Sequence, residues 1–261
     1  MRVTVLGCGG SAGVPMLGGV DGAGDWGVCD PNEPRNARTR CSIVLEGEDG
    51  RRVLVDTSPE LRTQMIACGI GRIDALFYTH AHADHVAGLD DVRSLNRILG
   101  QPIDAYATRP VLDELAHRFG YAFLPWKPPS FYRPVLVPQV VSAGETVEMA
   151  GLALTLFEQG HGHGDTLGFR VGGFAYSTDV VKLDETALRT LEGTETWLVD
   201  CFQRATHPAH ASLPLVREWS ARLGVKRTIL THMGVDMDYA WLVDNLPDGF
   251  EPAHDGLVLT V

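Results

Sequence analysis

The stretch Ala75-Leu76-Phe77-Tyr78-Thr79-His80-Ala81-His82-Ala83-Asp84-His85 decides the reading of this chain. Its first five residues read as a buried strand, and His80, His82, Asp84 and His85 follow at once. In an extended loop His80 and His82, two apart, point the same way, whereas Asp84 and His85 are adjacent and diverge. Any one of these side chains alone would pass for a surface or structural residue. Three imidazoles and a carboxylate packed this closely at a strand end are costly to bury unpaired, and together they read as two halves of a dinuclear metal site.

The same pattern, an apolar strand followed by a ligand-type residue, recurs at Phe157-Glu158-Gln159-Gly160-His161, at Phe174-Ala175-Tyr176-Ser177-Thr178-Asp179 and at Thr228-Ile229-Leu230-Thr231-His232. A two-metal site needs about three protein ligands per ion and a bridge, with positions left open for water and substrate. His161, Asp179 and His232 complete that count.

Outward from the centre, short β-rich runs alternate with helical patterns, without repeats, heptads or low-complexity linkers. Strands are predicted from Arg2 to Leu6, Cys41 to Leu45, Val53 to Val55, Ala75 to Thr79, Leu152 to Phe157, Gly168 to Val171, Phe174 to Ser177, Trp197 to Val199, Arg227 to Thr231 and Leu257 to Val261. Helices are predicted from Pro59 to Cys68, Val86 to Leu99, Pro110 to Phe119, Glu185 to Glu192, Leu213 to Leu223 and Tyr239 to Asn245. Gly9 to Arg40 reads as irregular, as does Leu124 to Pro138, whose prolines forbid a helix. The class is α/β, one domain over residues 1–261, with strands enough for two sheets.

A hydrophobic fraction of 44% and a charged fraction of 21% are ordinary for a globular protein, and no apolar run approaches the roughly 20 residues that span a bilayer. The opening strand is too short and too alternating for a signal peptide, so a cytoplasmic location is expected. Five widely spaced cysteines form no C-x-x-C pair and suit a reducing compartment. A net charge of −11 favours small substrates over long nucleic acids. Arg35, Arg38 and Arg40 form a basic cluster that either steers an anionic substrate or faces water. Nothing decides the assembly; a homodimer is the working expectation, with no membrane partner.

The motif H-x-H-x-D-H, with the later His161, Asp179 and Thr231-His232, resembles the metallo-β-lactamase superfamily from Met1 to Val261. Leu6-Gly7, Arg40-Cys41-Ser42, Leu54-Val55-Asp56, Thr178-Asp179, Asp200-Cys201 and Leu230-Thr231-His232, in this order, are similar to the PhnP-type phosphodiesterases, which open cyclic ribose phosphates. The resemblance implies a four-layer αββα sandwich and two divalent ions, zinc or manganese, with iron also fitting. It implies one ion on His80, His82 and His161, the other on Asp84, His85 and His232, and Asp179 as bridge. His163 competes with His161, which the spacing to Thr166-Leu167-Gly168-Phe169 in relatives favours. His210, in the loop with His207, matches a histidine that contacts the substrate phosphate and assists the leaving group, and Asp56 an aspartate that orients the metal loop. His117 and His254 read as structural. Some members carry a further zinc on cysteines after Trp-Gly and a histidine past Thr-His; here only Cys29 follows Trp26-Gly27 and Val235 takes the histidine's place, so that zinc is not expected.

The implied reaction is attack of a hydroxide held between the ions on a small, cyclic ribose or nucleotide phosphodiester, with His210, Asp84 and Asp179 as catalytic groups. Zinc β-lactamases commonly place Cys where Asp179 stands, and flavin-linked di-iron members Glu where His82 stands. A transfer-RNA processing nuclease would carry a basic arm that this chain lacks. A thioester or other ester hydrolase of glyoxalase II type is the alternative, and a non-catalytic metal protein that captures a small anion stands further behind.

Overall fold

The computed structural model describes residues 1–162 and 164–261. Its strands are β1 (Arg2–Gly7), β2 (Ser42–Glu46), β3 (Arg52–Val55), β4 (Ala75–Phe77), β5 (Ile103–Ala107), β6 (Leu136–Val140), β7 (Thr146–Met149), β8 (Leu152–His161), β9 (Gly164–Val171), β10 (Phe174–Ser177), β11 (Thr196–Asp200), β12 (Arg227–Thr231), β13 (Phe250–Pro252) and β14 (Val258–Thr260). The helices are α1 (Leu61–Ala67), α2 (Ala83–Val86), α3 (Val92–Leu99), α4 (Arg109–Arg118), α5 (Glu185–Leu191), α6 (Leu213–Leu223) and α7 (Tyr239–Asn245). The strands form two seven-stranded sheets, ordered β14-β1-β2-β3-β4-β5-β6 and β13-β12-β11-β10-β9-β8-β7.

Alternation of side chains across the pleat builds the layers. Val3, Val5, Ile43, Leu45, Val53, Val55 and Phe77 of the first sheet join the core shared with the second sheet, whereas Leu6, Val44, Leu54 and Leu76 face a separate core under α1, α3 and α4. Phe77 meets Phe169 edge-on across the sheet interface at 5.8 Å. On the far side α5 and α6 set Leu188, Leu191, Val216 and Trp219 into the shared core. The result is a single-domain αββα sandwich.

Topology decides where chemistry can sit. Strands β3 to β6 run parallel, as do β10 to β13, so the carboxyl ends of each parallel set lie on one side of its sheet. Asp56 and His80 follow β3 and β4, and Asp179 and His232 follow β10 and β12, while Asp200 ends β11. Loops beyond the carboxyl ends of parallel strands are where α/β sheets bind ligands.

Three expectations need correction. The helix expected from Val86 to Leu99 breaks at Gly88, whose amide donates to the Thr57 carbonyl at 3.0 Å. A Cβ on Gly88 would fall 2.0 Å from the Ser58 carbonyl oxygen, so close tertiary approach displaces the regular helix there. The stretch expected to be irregular from Leu124 to Pro138 is so over residues 124–135, but its last three residues enter β6, which tolerates Pro138 because it is the outermost strand and pairs with β5. Short strands β5, β7 and β13 lie outside all the expected runs.

Candidate metal centre

Asp56, Asp179 and His232 each take a left-handed backbone, with φ of 62°, 53° and 55°. Such conformations cost non-glycine residues of order 1–3 kcal/mol and persist where surroundings over-determine them. Asp56 and His232 immediately follow a parallel strand, and Asp179 lies two residues past the end of one.

The side chains converge in two groups around Asp179. Asp179 Oδ1 lies 3.9 Å from His80 Nε2 and 3.5 Å from His161 Nε2, and Oδ2 lies 3.1 Å from His85 Nε2 and 3.4 Å from His232 Nε2. His82 completes the first group, its ring centroid 4.5 Å from that of His80 and 5.1 Å from that of His161. Asp84 completes the second, with Oδ2 3.3 Å from His85 Nε2 and 3.6 Å from His232 Nε2.

Outer hydrogen bonds aim the rings. Asp56 Oδ2 lies 2.8 Å from His85 Nδ1, and its carboxylate also accepts from the Thr79 amide at 2.9 Å and hydroxyl at 2.8 Å. His161 Nδ1 donates to the Ala209 carbonyl at 2.8 Å, and Thr79 Oγ1 lies 3.0 Å from His80 Nδ1. With each Nδ1 so engaged, Nε2 is the nitrogen turned to the centre. Burial lowers the His80 and His161 pKa values, favouring neutral rings with a lone pair to give. Burial also opposes charge on His85 and His232, but the surrounding carboxylates together outweigh it, Asp179 with Asp56 raising His85 well above the ordinary value and Asp179 with Asp84 and Asp200 raising His232 to about 9. For Asp179 burial is outweighed in turn by His232 and His85, which hold its carboxyl well below the usual range.

This donor set fits metal ions. His80, His85 and His232 each bury an Nε2 that makes no hydrogen bond, although carboxylate oxygens stand nearby. Orphaned buried nitrogens are expensive, and a shared cation satisfies them. Ligand atoms of His80, His82, His161 and Asp179 lie within 4.8 Å of one another, as do those of Asp84, His85, Asp179 and His232.

A third group, Asp200, His210 and His232, meets the same distance limit. Fully buried Asp200 accepts from the Val180 amide at 3.0 Å, and its Oδ2 lies 3.0 Å from His210 Nδ1. The His210 ring stacks on Phe202 at 4.9 Å and on His232 at 4.8 Å. His207 stays behind it, its Nδ1 accepting from the Ala209 and His210 amides. Asp200 was not among the expected site residues, although it follows the apolar run Trp197 to Val199 in the pattern that marked the others.

The expected basic cluster divides. Arg35 pairs with Glu33 and caps the Tyr239 ring, and Arg40 pairs with Glu60. Arg38 is buried, donating to the Met237 carbonyl at 2.6 Å and to Asn36 Oδ1 at 3.2 Å, so it joins two loops and does not grip a substrate. Cys29 and Val235 do meet, through a 3.3 Å bond from Sγ to the Val235 carbonyl. His117 is exposed and His254 bonds to the Asp255 carbonyl, both in keeping with roles outside the site. His163, the rival to His161, lies outside the described residues.

Comparisons with known proteins agree with this geometry. Residues 51–233 match the model of the beta-lactamase superfamily domain, and with this fold the chain belongs to the metallo-β-lactamase superfamily. A crystallised diphosphatase of the PhnP family is 33% identical with a TM-score of 0.88, the match covering 100% of this chain and 97% of that one, so the chain belongs to the PhnP family. Zn(2+)-bound PqqB from Methylobacterium extorquens, 21% identical with a TM-score of 0.79 and covered completely on both sides (100% and 100%), shares the fold. An octanoyltransferase of Porphyromonas gingivalis is 29% identical over 98% of this chain and 51% of its own length. Coenzyme PQQ synthesis protein B of Methylorubrum populi is 30% identical over 60% of this chain and 52% of its own. The chain thus spans about half the length of the curated relatives it matches.

Proposed function

We propose that the protein is a dinuclear metal-dependent phosphodiesterase acting on small phosphodiesters, cyclic ribose or nucleotide phosphates among them. The observation that carries this reading is the division of the Asp179 carboxylate, one oxygen facing His80 and His161 and the other His85 and His232. We assign one divalent ion to His80, His82 and His161 and a second to Asp84, His85 and His232, bridged by Asp179, with zinc or manganese preferred and iron as a third fit. Such a pair, when bound, supplies Lewis-acid polarisation of phosphoryl oxygens and acidifies water toward neutrality.

The chain supplies orientation and proton handling. Asp56 fixes His85, and the Ala209 carbonyl fixes His161, so the ligand rings keep their aim through turnover. Asp200 engages His210 at Nδ1, which leaves Nε2 of the protonated ring to donate to the departing oxygen. Stacking between Phe202 and His232 limits the ring to that plane. Likeness to a PhnP-family diphosphatase favours phosphorus chemistry over acyl chemistry. The expected partner is a small anionic diester, not a long nucleic acid, and the free cysteines suit a cytoplasmic setting.

The test is hydrolysis of bis(p-nitrophenyl) phosphate and of a five-membered cyclic ribose phosphate by protein reconstituted with manganese or zinc, with Asp179→Ala as control. Turnover of both that is lost in the control supports the reading. Silence on both with metal bound overturns it in favour of a thioester or other ester substrate.

A further inference from the structure

The mouth of the metal centre is one end of a longer groove. A recess of about 230 Å³ lined by His80, His82 and His161 shares Pro110, Val111, Asp165 and Thr166 with a second recess of about 440 Å³, so the two adjoin. The second falls in the range of roughly 300–1,000 Å³ typical of small-molecule sites. Its apolar lining comes from Pro110 and Val111 at the start of α4 and from Val140 and Val141 at and just past the end of β6. Its lining also carries the exposed residues Glu158 on β8 and Asp165 on β9. Both cations of the lining have partners of their own: Arg109 of the second recess stands 3.9 Å from Asp113, and Arg118 of the first pairs with Glu114 at 2.6 Å and donates to the Ala81 carbonyl at 2.8 Å.

This combination selects an occupant. Two carboxylates repel a second phosphoryl group and accept hydrogen bonds from N–H or O–H donors. Apolar side chains such as Pro110, Val111 and Val140 take the flat face of a ring. We propose that the groove is a subsite for a nucleobase, a donor-edged heterocycle carried by the ester whose phosphoryl group sits at the metal centre. The inference rests on the phosphodiesterase reading for the position of that phosphoryl group.

The test is calorimetric titration of the metal-loaded protein with adenosine 5′-monophosphate, ribose 5-phosphate and phenyl phosphate, which share a phosphoryl group and differ in the ring beyond it. Adenosine monophosphate should bind at least tenfold more tightly than either, and Glu158→Ala and Asp165→Ala should each cut that ratio at least threefold. Ribose 5-phosphate binding equally tightly, a ratio unmoved in both variants, or binding of none of the three overturns the subsite. A base preference without hydrolysis of either bis(p-nitrophenyl) phosphate or the cyclic ribose phosphate keeps the subsite and sinks the phosphodiesterase reading; hydrolysis without the preference does the reverse.

Discussion

His210 Nδ1 and Asp200 Oδ2 stand 3.0 Å apart, and the carboxylate of that pair is fully buried. A buried carboxylate fixes both the tautomer and the plane of its imidazole, as in other acid–base pairs. His210→Ala should lower kcat by about 10²–10³-fold, the scale of a lost general acid, with metal content unchanged by elemental analysis. Asp200→Asn should lower kcat by a smaller factor and change the pH profile of kcat while KM holds. Loss of metal in His210→Ala would move this histidine from proton transfer to ligation.

Asp179 is the only carboxylate whose two oxygens face both histidine groups among the described residues. Asp179→Ala should abolish turnover and reduce bound metal, as seen by elemental analysis. Folding should survive, because the core side chains around it are unchanged and circular dichroism should match the parent. Near-normal activity in this variant would end the bridging assignment.

Asp56 touches the centre only through His85 and the Thr79 amide and hydroxyl. Partners of this kind tune affinity, typically by about 10–100-fold. Asp56→Asn should weaken metal binding in a chelator competition by about that factor without abolishing it. His161→Ala, in contrast, should lose metal far more completely than His163→Ala.

The ligand set was legible because it gathers at strand ends: His80 three residues past the end of β4 with His82, Asp84 and His85 close behind, His161 at the end of β8, Asp179 just past β10 and His232 directly after β12. Asp200 obeys the same rule, yet reads as interior because its partner His210 is reached only once the loop folds back. Strand β5, Ile103-Asp104-Ala105-Tyr106-Ala107, hides among weak β-formers, and β6 hides behind Pro138, whose presence is harmless only at a sheet edge. The three arginines gave one signal in sequence and three different environments in space, since their partners are set by tertiary folding.

Cys8, Cys41 and Cys201 are fully buried, and burial pushes the Cys41 thiol up to about 12 and the other two well up. A raised thiol pKa withholds the reactive thiolate at pH 8. Cys29 is also buried, which leaves the half-buried Cys68 as the accessible thiol. Burial raises the Cys68 thiol too, so titration with a disulfide reagent at pH 8 should modify Cys68 first, more slowly than a free thiol, and the other four only after denaturation. Rapid modification of Cys41 or Cys201 would contradict the packing beside the centre.

Arg38 joins residues far apart in sequence: its guanidinium donates to the carbonyls of Met237 and Gly234 and to Asn36, and Asn36 in turn donates to Asp238 at 2.7 Å. The segment it holds begins just past His232, so the same contacts secure the carboxyl side of a ligand-bearing turn. Arg38→Ala would strip these acceptors of a charged donor inside the protein, where each such bond is worth about 1.5–3 kcal/mol. Unfolding in urea should show a loss of about 3 kcal/mol or more. Lysine reaches one acceptor but lacks the planar fork, so Arg38→Lys should recover only part of that loss. Equal stability of Arg38→Ala and the parent would mean that the two loops are held by other contacts.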